Sequence, residues 1–252
     1  MNKIILTLVA LVYLGSDTRA ASIFSDDFNY PDGSLVGAAG SPWTHFSGTT
    51  TGEVNIAAGL LNITRAETED VTVSLGGGPF TTNSGTTLYT SFTVSFSALP
   101  SAAGNYFAHF RDTTNSFRDR IWTSIANAPA GQFRLGVGNG SSANAASGQL
   151  GMNLSLNTPY EVVSRYDTAA GLSTLWVNPA SEADTGVTAG DVTTPVDIYS
   201  FNFRQDTVMG IMTVDSLRIG TSFADVVAVP EPSTFVLLGL GAAGLLARRF
   251  RR

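Results

Sequence analysis

The chain has 252 residues, no cysteine and a net charge of −6, so disulfides, thiol nucleophiles, thiolate metal sites and iron–sulfur clusters are all excluded. Between Ala21 and Val229 it carries eight Arg and no Lys against eighteen Asp and Glu, a net charge of −10. A body so acidic speaks against nucleic acid as a partner, because phosphate binding rests on Lys and Arg.

In chain order, residues 1–20 read as an export signal. Met1-Asn2-Lys3 is a positive start, Ile4 to Leu14 is apolar, and Thr18-Arg19-Ala20 places small residues three and one positions before a cut. Eleven apolar residues reach only about 16 Å as a helix, against a hydrocarbon core of about 30 Å. The expected partner at this end is the Sec export machinery. Residues 21–228 then lack any run suited to an amphipathic helix. Short segments rich in Val, Ile, Phe, Tyr and Thr recur instead, divided by Gly, Asn, Pro and Ser, which predicts an all-β sandwich.

Within that body, Asp26, Asp27 and Asp32 are the weak candidates for a Ca2+ site, since they offer hard oxygens, but no Asp-x-Asp-x-Asp-Gly loop accompanies them. The competing account is that Asp26 and Asp27 cap strand ends and Asp32-Gly33 makes a turn. No other cofactor is indicated. His45 follows Trp43 closely and is expected beside the core. Glu67, Glu69 and Asp70 form the densest acidic patch, expected to be a solvated loop rather than a glycosidase carboxylate pair. Leu88, Thr90, Phe92, Val94 and Phe96 alternate along one strand face. His109 sits among aromatic residues in Tyr106 to Phe110. Arg111-Asp112 and Arg118-Asp119-Arg120 form a mixed-charge cluster, read either as a carbohydrate-facing rim or as exposed strand ends. Gln132 to Val137 leads into the turn Gly138-Asn139-Gly140. Tyr160 to Asp167 and Leu172 to Val177 flank Ala169-Ala170-Gly171 and predict the clearest hairpin. Trp43, Trp122 and Trp176 are candidates for stacking on sugar rings, with Trp176 expected in the core. No His-Glu-x-x-His, Gly-x-Ser-x-Gly, Walker or dinucleotide motif is present, so no catalytic residue is assigned and the chain is expected not to be an enzyme.

The tail, 229–252, has three parts in order. Val229-Pro230-Glu231-Pro232-Ser233-Thr234 comes first, where the prolines forbid an earlier helix start and Ser233 or Thr234 can cap the apolar helix beyond them. Phe235 to Ala247 is uncharged and predicts a single transmembrane helix over 235–247. Residues 248–252 contain Arg248, Arg249, Arg251 and Arg252, a cytoplasmic anchor that places the body across the membrane.

This tail resembles the PEP-CTERM sorting signal of Gram-negative and related environmental bacteria. The resemblance implies that Pro230, Glu231 and Pro232 are the sorting motif read by an exosortase-type processing enzyme. It also implies an inner-membrane intermediate with a cytoplasmic C-terminus, then the cell surface or extracellular matrix. The body resembles the concanavalin A-like, laminin G-like jelly roll through Ser25 to Gly33, Tyr166-Asp167, Leu175 to Pro179 and Asp215 to Val226. That resemblance implies a jelly-roll β-sandwich whose first and last strands are neighbours. Together they give a non-catalytic surface or matrix protein associated with exopolysaccharide. A carbohydrate-binding module or adhesin is the alternative, with a polysaccharide hydrolase or lyase behind it.

Overall fold

The computed structural model describes residues 22–140, 146–191 and 193–227. The predicted export signal, transmembrane span, sorting motif and Arg anchor lie outside the described residues. Among those described, no helix is long and apolar enough to cross a membrane.

The first half of the body forms β1 (Phe24–Asp26), β2 (Gly33–Ser34), β3 (Thr44–Ser47), β4 (Asn55–Ala57), β5 (Leu60–Ile63), β6 (Asp70–Ser74), β7 (Thr87–Ala98), β8 (Asn105–Arg111) and β9 (Phe117–Ser124). The second half forms β10 (Gln132–Gly138), β11 (Gly148–Gln149), β12 (Leu154–Ser155), β13 (Pro159–Asp167), β14 (Leu172–Val177), β15 (Val187–Thr188), β16 (Ser200–Phe203), β17 (Ile211–Gly220) and the single turn α1 (Phe223–Val226). They build two antiparallel sheets. One has nine strands in the order β15-β14-β13-β7-β17-β5-β4-β2, with β1 also on β17; the other has eight, β11-β10-β9-β8-β16-β6-β3, with β12 on β10. The protein is therefore an all-β sandwich. Its first and last strands pair, Phe24 opposite Ile219, as a jelly roll requires.

Alternation explains the layers. On β7, Leu88, Phe92, Val94 and Phe96 point inward and meet rings from the facing sheet: Phe92 lies 5.7 Å from Phe203 and Phe96 4.3 Å from Phe133. The hairpin β13–β14 forms where expected, with β13 beginning one residue earlier, at Pro159. Its turn is held by Asp167, whose Oδ1 accepts from Ala169 N and Ala170 N, both at 2.9 Å, and by Gly171 at φ +67.

Trp176 is buried as expected but departs from the main core, lying on the outer face of the nine-stranded sheet in a second hydrophobic cluster with Tyr89, Val163, Phe223, Val226 and Val227. The segment Phe223–Val227 lies on that face as a cover, and Ser91 Oγ donates to Val226 O at 2.7 Å. Gly220 permits the close return, because a Cβ there would stand 2.3 Å from that of Asp225.

The charged triplet also departs from expectation. Arg118, Asp119 and Arg120 are buried rather than exposed strand ends. Asp119, at φ +52, sits in a register irregularity of β9 and turns between the sheets, where its Oδ2 accepts from Ser164 Oγ at 2.5 Å. Burial pushes its carboxyl up to about 6, against the hydrogen bonds from Ser164 and Ser173 that favour the anion. A carboxyl that holds its proton more tightly folded than unfolded stabilises the fold at low pH, and that contribution is lost as pH rises through about 6. Asp119→Asn should therefore stabilise the protein at pH 8 by about 2 kcal/mol and flatten the decline in stability between pH 4 and pH 7. Urea denaturation at pH 5 and pH 8 checks this, and an unchanged pH slope would refute it.

Candidate functional site

The outer face of the eight-stranded sheet carries the densest set of chemically able side chains. Two register shifts between β8 and β9 create it, one between Tyr106 and Ala108 with the extra residue in β8, the other between Ala108 and Phe110 with the extra residue in β9. A bulge lets Phe107, Ala108 and Phe110 all enter the core and leaves Tyr106 and His109 outward. His109 pairs across the ladder with Asn202 of β16, and Tyr106 with Trp122 of β9. Phe117 of β9 and Phe46 of β3 complete a row of rings. Tyr106 lies 5.5 Å from Trp122, His109 4.3 Å from Phe117, and Phe117 6.0 Å from Phe46.

Guanidinium groups lie on these rings. The Arg204 Cζ is 4.5 Å and the Arg120 Cζ 4.9 Å from the Tyr106 centroid, and the Arg111 Cζ is 4.0 Å from that of Phe46. Beneath them His109 is fully buried. Desolvation first, then Arg120, Arg204 and Arg111, hold its pKa well below the ordinary histidine value, so it stays neutral.

At the β9–β10–β11 end the row opens into a cleft of about 400 Å3 bordered by Trp122, Ser124, Asn127, Arg134, Ser147 and Gln149. Gly136 lets β11 close on β10, since a Cβ there would lie 2.5 Å from Gly148 O. The cleft's polar groups are pre-positioned: Gln149 Nε2 donates to Ser124 Oγ at 3.2 Å, Asn127 Nδ2 to Gln149 Oε1 at 2.9 Å, and Arg134 Nε to Asn153 Oδ1 at 2.7 Å. Trp122 is 2% exposed, and its indole N–H has no partner among the described residues. Of the three tryptophans it alone lines this opening. Trp43 is in the core, and Trp176 lies under the α1 segment with its N–H donated to Asp184 O at 3.0 Å.

The other sequence candidates serve the fold. Both Asp26 oxygens accept bonds from Phe28 N, Tyr30 Oη and Trp43 Nε1 at 2.8, 2.8 and 2.7 Å. Asp27 pairs with Arg218 at 2.6 Å, and Asp32 accepts from Ala58 N at 2.8 Å. The three are not brought together, and among the described residues no group of three or more His, Asp or Glu is arranged to hold a metal. The acidic patch is not a solvated loop throughout. Glu69 is fully buried, accepting from Gly52 N, Val54 N and His45 Nδ1, and Asp70 is buried beside Arg204. Tyr106, Phe46, Phe117 and Arg204 are members of the site that sequence reasoning missed.

The fold is similar to that of lectin I-B4 from Griffonia simplicifolia in its metal-free form, at 11% identity and a TM-score of 0.49 over 79% of this chain and 100% of that one. Lectin II from Ulex europaeus gives 12% identity and a TM-score of 0.49 over 79% and 99%. An engineered GH43 glycoside hydrolase gives 11% and 0.48 over 82% of this chain, which spans only 42% of that enzyme. No curated protein matches. Residues 228–252 match the family model of the PEP-CTERM protein-sorting motif, so the chain is an all-β sandwich that ends in a PEP-CTERM sorting motif.

Proposed function

We propose that this is an exported cell-surface or matrix protein, processed at its tail by an exosortase-type enzyme, whose sandwich binds carbohydrate without transforming it. In this reading residues 1–20 are removed on Sec export, 235–247 cross the inner membrane, and Arg248, Arg249, Arg251 and Arg252 hold the end in the cytoplasm until processing. The observation that carries the binding role is the row of rings from Phe46 to Trp122, ending in an open cleft of about 400 Å3. Sugar rings present C–H faces that pack on aromatic rings, while Ser, Asn, Gln and Arg at the rim orient their hydroxyls.

A glycan array probed with the processed protein tests the binding role. Binding is expected, and Asn127→Ala with Gln149→Ala, which removes two polar side chains from the border of the cleft, should reduce it about tenfold. No glycan retained by the parent protein would end this reading. The sorting role is tested separately by replacing Pro230 and Pro232 with Ala. The chain is then expected to remain at its unprocessed length in the inner-membrane fraction, and unchanged processing and location would refute it.

A further inference from the structure

Resting on the carbohydrate reading of this face, we infer that its ligand is an acidic polysaccharide whose carboxylates are taken by the arginines of the eight-stranded sheet. The body has only eight Arg in a net charge of −10, and four of them, Arg111, Arg120, Arg134 and Arg204, stand on this one face. Three of the remaining four are committed elsewhere: Arg118 to Thr194 O, Arg165 to Glu182 and Arg218 to Asp27.

The four are unequally neutralised. Arg204 is paired with Asp206 at 2.8 Å and approaches Asp70 at 3.8 Å. Arg111, Arg120 and Arg134 have no ion-pair partner among the described residues, and their hydrogen bonds end on neutral oxygens of Asn115, Ser200, Gly140 and Asn153. The carboxylates nearest to them are already engaged. Asp112 accepts from Thr114 N, Ser116 N and the Thr114 hydroxyl, and Asp191 from Asn139 N, Gly140 N and the Ser147 hydroxyl.

A face that gathers guanidinium groups without carboxylate partners fits a ligand rich in anionic acceptors. The acidic remainder of the body repels that same ligand, so the polymer is directed to this face alone. The aromatic row between the guanidinium groups supplies a surface for the sugar rings that a simple polyanion does not use.

The test is titration calorimetry of the processed protein against three polymers of matched length: a polyuronate, neutral dextran and polyglutamate. The polyuronate should bind and the other two should not, with affinity falling about tenfold or more between 50 mM and 500 mM salt as screening shortens. Arg111→Gln with Arg134→Gln should weaken binding about tenfold without changing the unfolding midpoint, and the Arg→Lys pair should restore most of it. Equal binding of dextran would overturn the acidic ligand while leaving carbohydrate binding intact. Binding of neither sugar polymer would overturn the acidic ligand, and the glycan array then decides the carbohydrate reading. Equal binding of polyglutamate would show simple ion exchange and overturn the inference.

Discussion

Asp26→Ala is expected to lower the free energy of unfolding by about 3–5 kcal/mol, a large part of the stability of a domain this size. Asp26 is 8% exposed, and its two oxygens join three segments. Oδ1 holds Phe28 N at 2.8 Å, fixing Phe28 at φ +49, a left-handed conformation unfavourable for a bulky side chain. Oδ2 takes the Tyr30 hydroxyl and the indole N–H of Trp43, whose ring packs 5.6 Å from Phe203 and 6.1 Å from Phe28. Alanine leaves the buried indole N–H unpaired and releases the strained turn. Asparagine is expected to rescue only in part, since its amide N–H can donate to the Tyr30 hydroxyl but cannot accept from the Trp43 indole N–H. Urea denaturation followed by tryptophan fluorescence measures both variants. A loss below about 1 kcal/mol for Asp26→Ala would show that solvent satisfies these donors.

Glu69→Ala is expected to cost about 3–4 kcal/mol and to loosen one loop before the rest of the fold. Its fully buried carboxylate takes Val54 N at 2.7 Å, Gly52 N at 2.9 Å and His45 Nδ1 at 3.1 Å, tying the loop before β4 to the end of β3. The same crossing is tight at Gly48, φ +103, where a Cβ would lie 2.3 Å from Thr68 O. Without the carboxylate two backbone N–H groups lose their acceptor, while half-buried His45 turns to water. Amide exchange at Gly52 and Val54 should quicken well beyond that of the core strands. Protection unchanged at those two amides would sink the prediction.

Regular alternation made much of the fold legible. Leu88, Phe92, Val94 and Phe96 and the Tyr160–Val177 hairpin follow from period-two patterning and turn chemistry, whereas the pairing of the two ends was implied by the resemblance to a concanavalin A-like jelly roll. The tail was legible for a different reason, because its proline motif, apolar run and arginines occur in a fixed order, and residues 228–252 match the sorting model. The candidate site was not legible, because irregularity makes it. In Tyr106-Phe107-Ala108-His109-Phe110 the bulges reverse the inside–outside rule, and the same effect in β9 buries Arg118 and Asp119. Glu69 was misread because a carboxylate filled by backbone donors looks, in sequence, like any acid near a turn. Trp176 alternates correctly with the core, yet its cover is a segment 47 residues further along the chain.

The cover formed by Phe223–Val227 bears on which way the body would face. Val227 is buried against the nine-stranded sheet, and the sorting match begins at the next residue, 228. A chain spans at most about 3.6 Å per residue, so on the proposed reading of the tail as a membrane anchor, the nine-stranded face is expected to lie toward the membrane and the arginine-bearing face away from it.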